Sequence, residues 1–157
     1  MNELVIRFKK YNSWELLSQE DQLLVIRAQS AAQKAYAPYS KFQVGAAVLL
    51  EDGTIVLGSN QENIAFPSGL CAERVALFNA GANYPGKKIV KLVVTAFGDF
   101  VELETLLTPC GSCRQVMVES QQRQKDAIQV IMVSQNKQTI VVDNVLDLMP
   151  FAFNESF

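Results

Sequence analysis

The sequence predicts a three-layer α/β/α sandwich around a mixed sheet of about five strands. Three observations carry that expectation. Apolar runs rich in β-branched residues alternate with segments whose apolar residues recur at helical spacing. Asp52-Gly53 sits between two apolar runs and marks a hairpin. The 157 residues are 49% hydrophobic and 19% charged, enough to bury a core and too apolar for a disordered chain. No repeat or flexible linker divides residues 1–157, so a single domain is expected, with 1–17 as an N-terminal extension.

The elements follow in order. ELVIRF, residues 3–8, reads as a short strand. Ser18 with Asp21 three residues later is a helix-starting pair, and apolar residues at 23, 24, 26, 28, 31, 32 and 35 continue it. Pro38 is expected to stop that helix, because its ring disfavours helical geometry in the preceding residue. FQVGAAVLL and IVLGSN form the hairpin. CAERVALFNAGA reads as a helix ending at Gly81, and IVKLVVTAF as a buried strand. CRQVMVESQQ is another helix, IQVIMVS and QTIVVD two more strands, and VLDLMP one helical turn.

Composition excludes several function classes. Net charge is −2, with no basic stripe, so no nucleic-acid partner is expected. The longest apolar runs fall well short of the roughly 20 residues that span a bilayer. MNELVIRFKKYNSW lacks the layout of a signal peptide, which points to a cytoplasmic protein with no membrane partner.

The chemistry concentrates in three cysteines, in a chain without histidine. Cys110 and Cys113 form a C-x-x-C pair in PCGSC, and Cys71 opens the helix before it. An odd, small count is a poor disulfide framework. Taken singly, each thiol suits a small core hydrophobe, and the pair alone suits a redox motif or half a zinc site. Taken together, three thiolates hold a zinc ion at about 2.3 Å each and leave a fourth tetrahedral position open, the mark of a catalytic metal. Glu73 lies two residues after Cys71, and Arg74 directly follows it.

CAE followed by PCGSC resembles the signature of the zinc-dependent nucleoside and base deaminases. AYAPYSKFQVGAA, GSNQENIAF, GLCAERVALFNA, TPCGSCRQV and LMPFAF together resemble the small, three-cysteine cytidine deaminases. The resemblance spans residues 35 to 153 and implies a cytidine deaminase-like fold with one Zn2+ per subunit, held by Cys71, Cys110 and Cys113. It implies hydrolytic deamination of cytidine and deoxycytidine in pyrimidine salvage, with Glu73 as the general acid/base. Three thiolates leave a 2+ ion with net charge −1. The helix N-termini at Cys71 and Cys110, and a hydrogen bond from Arg74 to a thiolate, are expected to offset this.

The same resemblance assigns substrate contacts. Asn60 and Glu62 occupy alternate positions at a strand end, so both side chains can face one way. By composition they belong to a polar loop; by resemblance they bind the ribose. Phe42, Ala72 and Phe153 complete the substrate-binding set, although the pattern alone would place both phenylalanines in the core. Phe153 resembles the residue that one subunit lends to its neighbour, which implies a homotetramer with shared active sites. Phe66 stands where the family often has tyrosine, and Ser112 replaces a common alanine. Two other readings are a deaminase of another nucleoside-like substrate and a non-catalytic zinc-binding module of the same fold. A base within RNA is a poor substrate for a chain of net charge −2.

Overall fold

A computed structural model describes residues 1–153. One sheet organises it, with strand order β1-β6-β5-β4-β2-β3. The strands are β1 (Lys9–Tyr11), β2 (Gln43–Leu50), β3 (Ile55–Ser59), β4 (Ile89–Phe97), β5 (Gln129–Val133) and β6 (Thr139–Val142). The helices are α1 (Gln19–Ala32), α2 (Ala72–Asn83) and α3 (Gly111–Gln124). Only β4 and β5 pair in parallel; the other neighbours are antiparallel, so the sheet is mixed as expected.

Strand alternation builds two cores. Ala46, Val48, Leu50, Leu92, Val94, Val130 and Met132 face α2 and α3. Their sequence neighbours Ala47, Leu49, Val93, Ile131 and Val133 face α1. The central strands β2, β4 and β5 are covered on both sides, which explains why their sequences are near-continuously apolar rather than alternating. Two glycines set the closeness of the helices. A Cβ at Gly45 would lie 2.0 Å from the Ala28 carbonyl oxygen of α1. One at Gly58 would lie 2.4 Å from both the Ala72 carbonyl oxygen and the Ala76 nitrogen of α2.

The sheet has six strands rather than five, and the sixth is the N-terminal β1. The strand expected at 3–8 falls instead at Lys9–Tyr11, paired with β6 from Lys9↔Val141 to Tyr11↔Thr139. In this register Phe8 would face Val142, the last residue of β6, and the residues before Phe8 run past its end and have no ladder. Helix α1 begins as expected, with the Ser18 hydroxyl accepting the Asp21 N–H at 3.2 Å. It ends at Ala32, well before Pro38. Beyond it the chain must extend at Tyr36, which bridges Gln61 and exchanges backbone bonds with Asn60 and Glu62. Helix α2 runs through Gly81 to Asn83. Gly81 faces open space, so its cost of about 1 kcal/mol is tolerated, and Tyr84, the residue before Pro85, leaves helical geometry.

This topology assembles the site. Helix α2 follows β3, and α3 follows β4, each crossing over between strands that run in the same direction. Both crossovers step the same way across the sheet, so both helices lie on one face. Their N-termini therefore meet at the same end of the sheet.

Candidate metal centre and adjoining cavity

Cys71 is the N-cap residue of α2 and Cys110 the N-cap residue of α3. Cys113 lies one turn into α3, fully buried. The sulfurs of Cys71 and Cys110 are 3.9 Å apart, those of Cys110 and Cys113 are 3.4 Å apart, and all three lie within 4.8 Å of one another. Three sulfurs bound at about 2.3 Å to one tetrahedral ion sit roughly 3.8 Å from each other. The three cysteines thus fit a zinc ion with little movement, and the soft thiolate donor set is the kind that zinc prefers.

The electrostatics of this cluster favour one negative sulfur even without an ion. A hydrogen bond from Cys113, and then one from Arg74, hold the Cys71 thiol below the ordinary cysteine range, against the opposing effect of its partial burial. Cys113, which donates to Cys71 and is buried, is pushed upward. Arg74 donates from Nη2 to Cys71 Sγ at 3.5 Å. Its Nε–H is buried without a partner among the described residues. Two helix N-termini add positive potential at Cys71 and Cys110.

Glu73 is 4% exposed in the first turn of α2, yet its side chain reaches the cavity beside the cluster. Burial raises its carboxyl to about 7, with the nearby Cys71 charge adding to the effect. The result is an acid that holds or releases a proton near neutrality.

The cavity has a volume of about 720 Å3 and reaches Cys71 and Cys110. Asn60 and Glu62 share its wall, but their side chains are already engaged. Asn60 Nδ2 donates to the Phe42 carbonyl at 2.8 Å, and its Oδ1 accepts the Val44 N–H at 2.8 Å. Glu62 accepts the N–H groups of Tyr39 at 2.9 Å and Ser40 at 3.3 Å, together with the Ser40 hydroxyl. These bonds, led by that of the hydroxyl, hold the Glu62 carboxyl below the usual range.

Phe42 lines the cavity rather than the core, its ring 5.7 Å from that of Phe100. Phe66 lines the rim, edge-on to Tyr39 at 6.2 Å. Two members of the expected substrate set are absent from this wall. Ala72 is fully buried at the start of α2, its carbonyl turned toward Gly58. Phe153 is 85% exposed.

Sequence reasoning did not single out Phe100 or Arg114. Phe100 lies in a loop with no periodic pattern, where nothing marks which aromatic turns inward. Arg114 donates from Nε to the Pro109 carbonyl at 2.8 Å and from Nη1 to the Leu148 carbonyl at 2.9 Å, bracing the turn before Cys110. Its position beside Cys113 was the only available signal.

The family model of the cytidine and deoxycytidylate deaminase zinc-binding region matches residues 18–132. The chain belongs to this family. The cytidine deaminase of Halalkalibacterium halodurans is 43% identical over 99 residues, 62% of this chain and 70% of that protein. The cytidine deaminase of Sporosarcina psychrophila is 44% identical over 96 residues, 61% of this chain and 66% of its own. In three dimensions, the crystal structure of cytidine deaminase from Burkholderia pseudomallei superposes with a TM-score of 0.74 at 36% identity. That match covers 87% of this chain and all of the other. As a member of this deaminase family the chain carries one zinc site, and the three-cysteine cluster is the group that fits it.

Proposed function

We propose that this protein is a cytidine deaminase, hydrolysing cytidine and deoxycytidine to uridine and deoxyuridine plus ammonia. The observation that carries the reading is the juxtaposition of the buried Glu73 carboxyl, raised toward neutrality, with three thiols at zinc spacing, of which Cys71 and Cys110 open onto the same cavity as Glu73. Cys71, Cys110 and Cys113 are the metal ligands in this reading. Zinc, when bound there, supplies Lewis-acid activation of water at its open fourth position.

The chain's own groups do the rest. Glu73 takes a proton from the attacking water and delivers it to N3 of the pyrimidine. It then carries the second proton to the amine at C4, which leaves as ammonia while oxygen remains on the ring. A carboxyl near 7 is matched to both directions of transfer. Arg74 stabilises the Cys71 thiolate. Glu62 keeps a lone pair for a sugar hydroxyl, and Asn60 has one amide hydrogen to spare, so the pair favours a nucleoside over a free base. Phe42 packs on the base.

Phe153 acts on a neighbouring subunit in a homotetramer. Its exposed ring supports this role, as do two bonds that pin its backbone: Gln115 Nε2 donates to the Phe153 carbonyl at 2.6 Å, and the Phe153 N–H donates to Gln115 Oε1 at 3.1 Å. The cellular setting in this reading is cytoplasmic pyrimidine salvage, carried out by a single deaminase domain with residues 1–17 as an extension.

The test is direct. Purified protein is assayed for bound zinc and mixed with cytidine or deoxycytidine while the ultraviolet absorbance is followed. Zinc-loaded protein that turns over neither nucleoside refutes the reading. Mass measurement in solution checks the assembly, and an active monomer refutes the shared site.

A further inference from the structure

We propose that Ser40 is a positioning residue for sugar recognition, holding the Glu62 carboxylate in the orientation that accepts a ribose hydroxyl. This rests on the reading of Glu62 as a sugar ligand. Ser40 sits where three constraints converge. Its hydroxyl donates to Glu62 Oε1 and accepts the Phe42 N–H at 3.0 Å. The Phe42 carbonyl in turn accepts Asn60 Nδ2 at 2.8 Å, and Asn60 and Glu62 are two residues apart. One hydroxyl therefore ties the carboxylate, the aromatic and the amide of the cavity wall into a closed circuit.

The distribution of donors on Glu62 makes this hydroxyl decisive. Oε2 accepts two backbone N–H groups, from Tyr39 and Ser40. Oε1 has the Ser40 hydroxyl as its donor among the described residues. A carboxylate offers about four lone-pair sites, so three donors leave one for a ligand O–H. The terminal torsion of a glutamate is broad, and the backbone bonds to one oxygen do not fix it. Without the hydroxyl, the carboxylate is free to turn about Oε2, and the free lone pair loses its aim.

The experiment measures kcat and KM of zinc-loaded protein with cytidine, 2′-deoxycytidine and 3′-deoxycytidine. Ser40→Ala is expected to raise KM for cytidine about tenfold, the worth of one charge-assisted hydrogen bond, with kcat little changed. It is also expected to narrow the preference for cytidine over whichever deoxy analogue Glu62→Gln ceases to discriminate against. Ser40→Thr, which keeps the hydroxyl, restores both. Ser40→Cys, which keeps the size and weakens the donor, shows the same shift at smaller amplitude and serves if the alanine variant folds poorly. Combining Ser40→Ala with Glu62→Gln adds nothing beyond Glu62→Gln alone. Discrimination that is lost in Glu62→Gln but kept in both Ser40→Ala and Ser40→Cys overturns the role of Ser40. Discrimination kept in Glu62→Gln overturns the Glu62 reading itself. A uniform fall in kcat and melting temperature with KM unchanged makes Ser40 a structural residue only and also overturns the proposal.

Discussion

Gly58→Ala should damage the metal centre without touching it. The added Cβ would lie 2.4 Å from the Ala72 carbonyl oxygen and 2.4 Å from the Ala76 nitrogen, both backbone atoms of α2. An ordinary separation is about 3.5 Å, so α2 must retreat by roughly 1 Å. Overpacking of this kind costs about 1–3 kcal/mol, which in a chain of this size lowers the melting temperature by about 3–10 °C. The retreat also carries Cys71 and Glu73, at the start of α2, away from Cys110 and Cys113 on α3. Sulfurs now 3.9 Å apart would no longer meet one ion, so zinc affinity should fall together with stability. A misplacement of this size costs about 100-fold in rate. Gly45→Ala is the control. Its Cβ would lie 2.0 Å from the Ala28 carbonyl of α1, on the opposite face, so stability should fall while zinc affinity holds. Thermal unfolding, chelator competition and kcat/KM measured on both variants decide the matter. Gly58→Ala with unchanged zinc affinity, or Gly45→Ala with equal loss of it, refutes the argument.

Three further outcomes are expected. Glu73→Gln should retain one zinc per chain while turnover falls by about 100- to 10,000-fold; a fast, zinc-loaded variant removes Glu73 from the proton path. Arg74→Ala should weaken zinc binding by about 10- to 100-fold in chelator competition, because Cys71 loses its guanidinium donor, and unchanged affinity refutes that. In metal-free protein, the Glu73 carboxyl, raised from 4.5 to about 7, holds a proton in the folded state that the unfolded chain has released. Its contribution is fully present below about pH 4.5 and lost as pH rises through about 7, at a total of about 3 kcal/mol. Denaturant titrations of stripped wild type and Glu73→Gln between pH 5 and 8 should diverge by that amount, with wild type the less stable at pH 8; parallel curves refute the assignment.

The chemistry was more legible than the termini of the elements, for physical reasons. Cys110 and Cys113 are readable because metal geometry favours thiols at short spacing and a helix start supplies it, whereas the link to Cys71 and the role of Glu73 came from the resemblance to the deaminase signature. Helix α1 could be started from Ser18 but not stopped. Its end is set by the bridge of Tyr36 to Gln61, a contact across 25 positions that no local pattern reports. Likewise ELVIRF has the composition of a strand, yet β6 is too short to pair with it. Phe42 and Phe100 could not be told from core aromatics without the cavity between them.

The missing histidine ties these features together. A cluster of three thiolates around a 2+ ion carries net charge −1, and such a cluster is held only where the surroundings are positive. Neither compensation is a lysine or arginine placed on a loop. Each helix N-terminus exists because the chain crosses the same face of the sheet twice in the same direction. Arg74 reaches Cys71 because it lies three residues along the same helix, where side chains become neighbours. The charge balance of the site is therefore a property of the topology. This is why Gly58, which carries no charge and no ligand, controls it through the seat of α2.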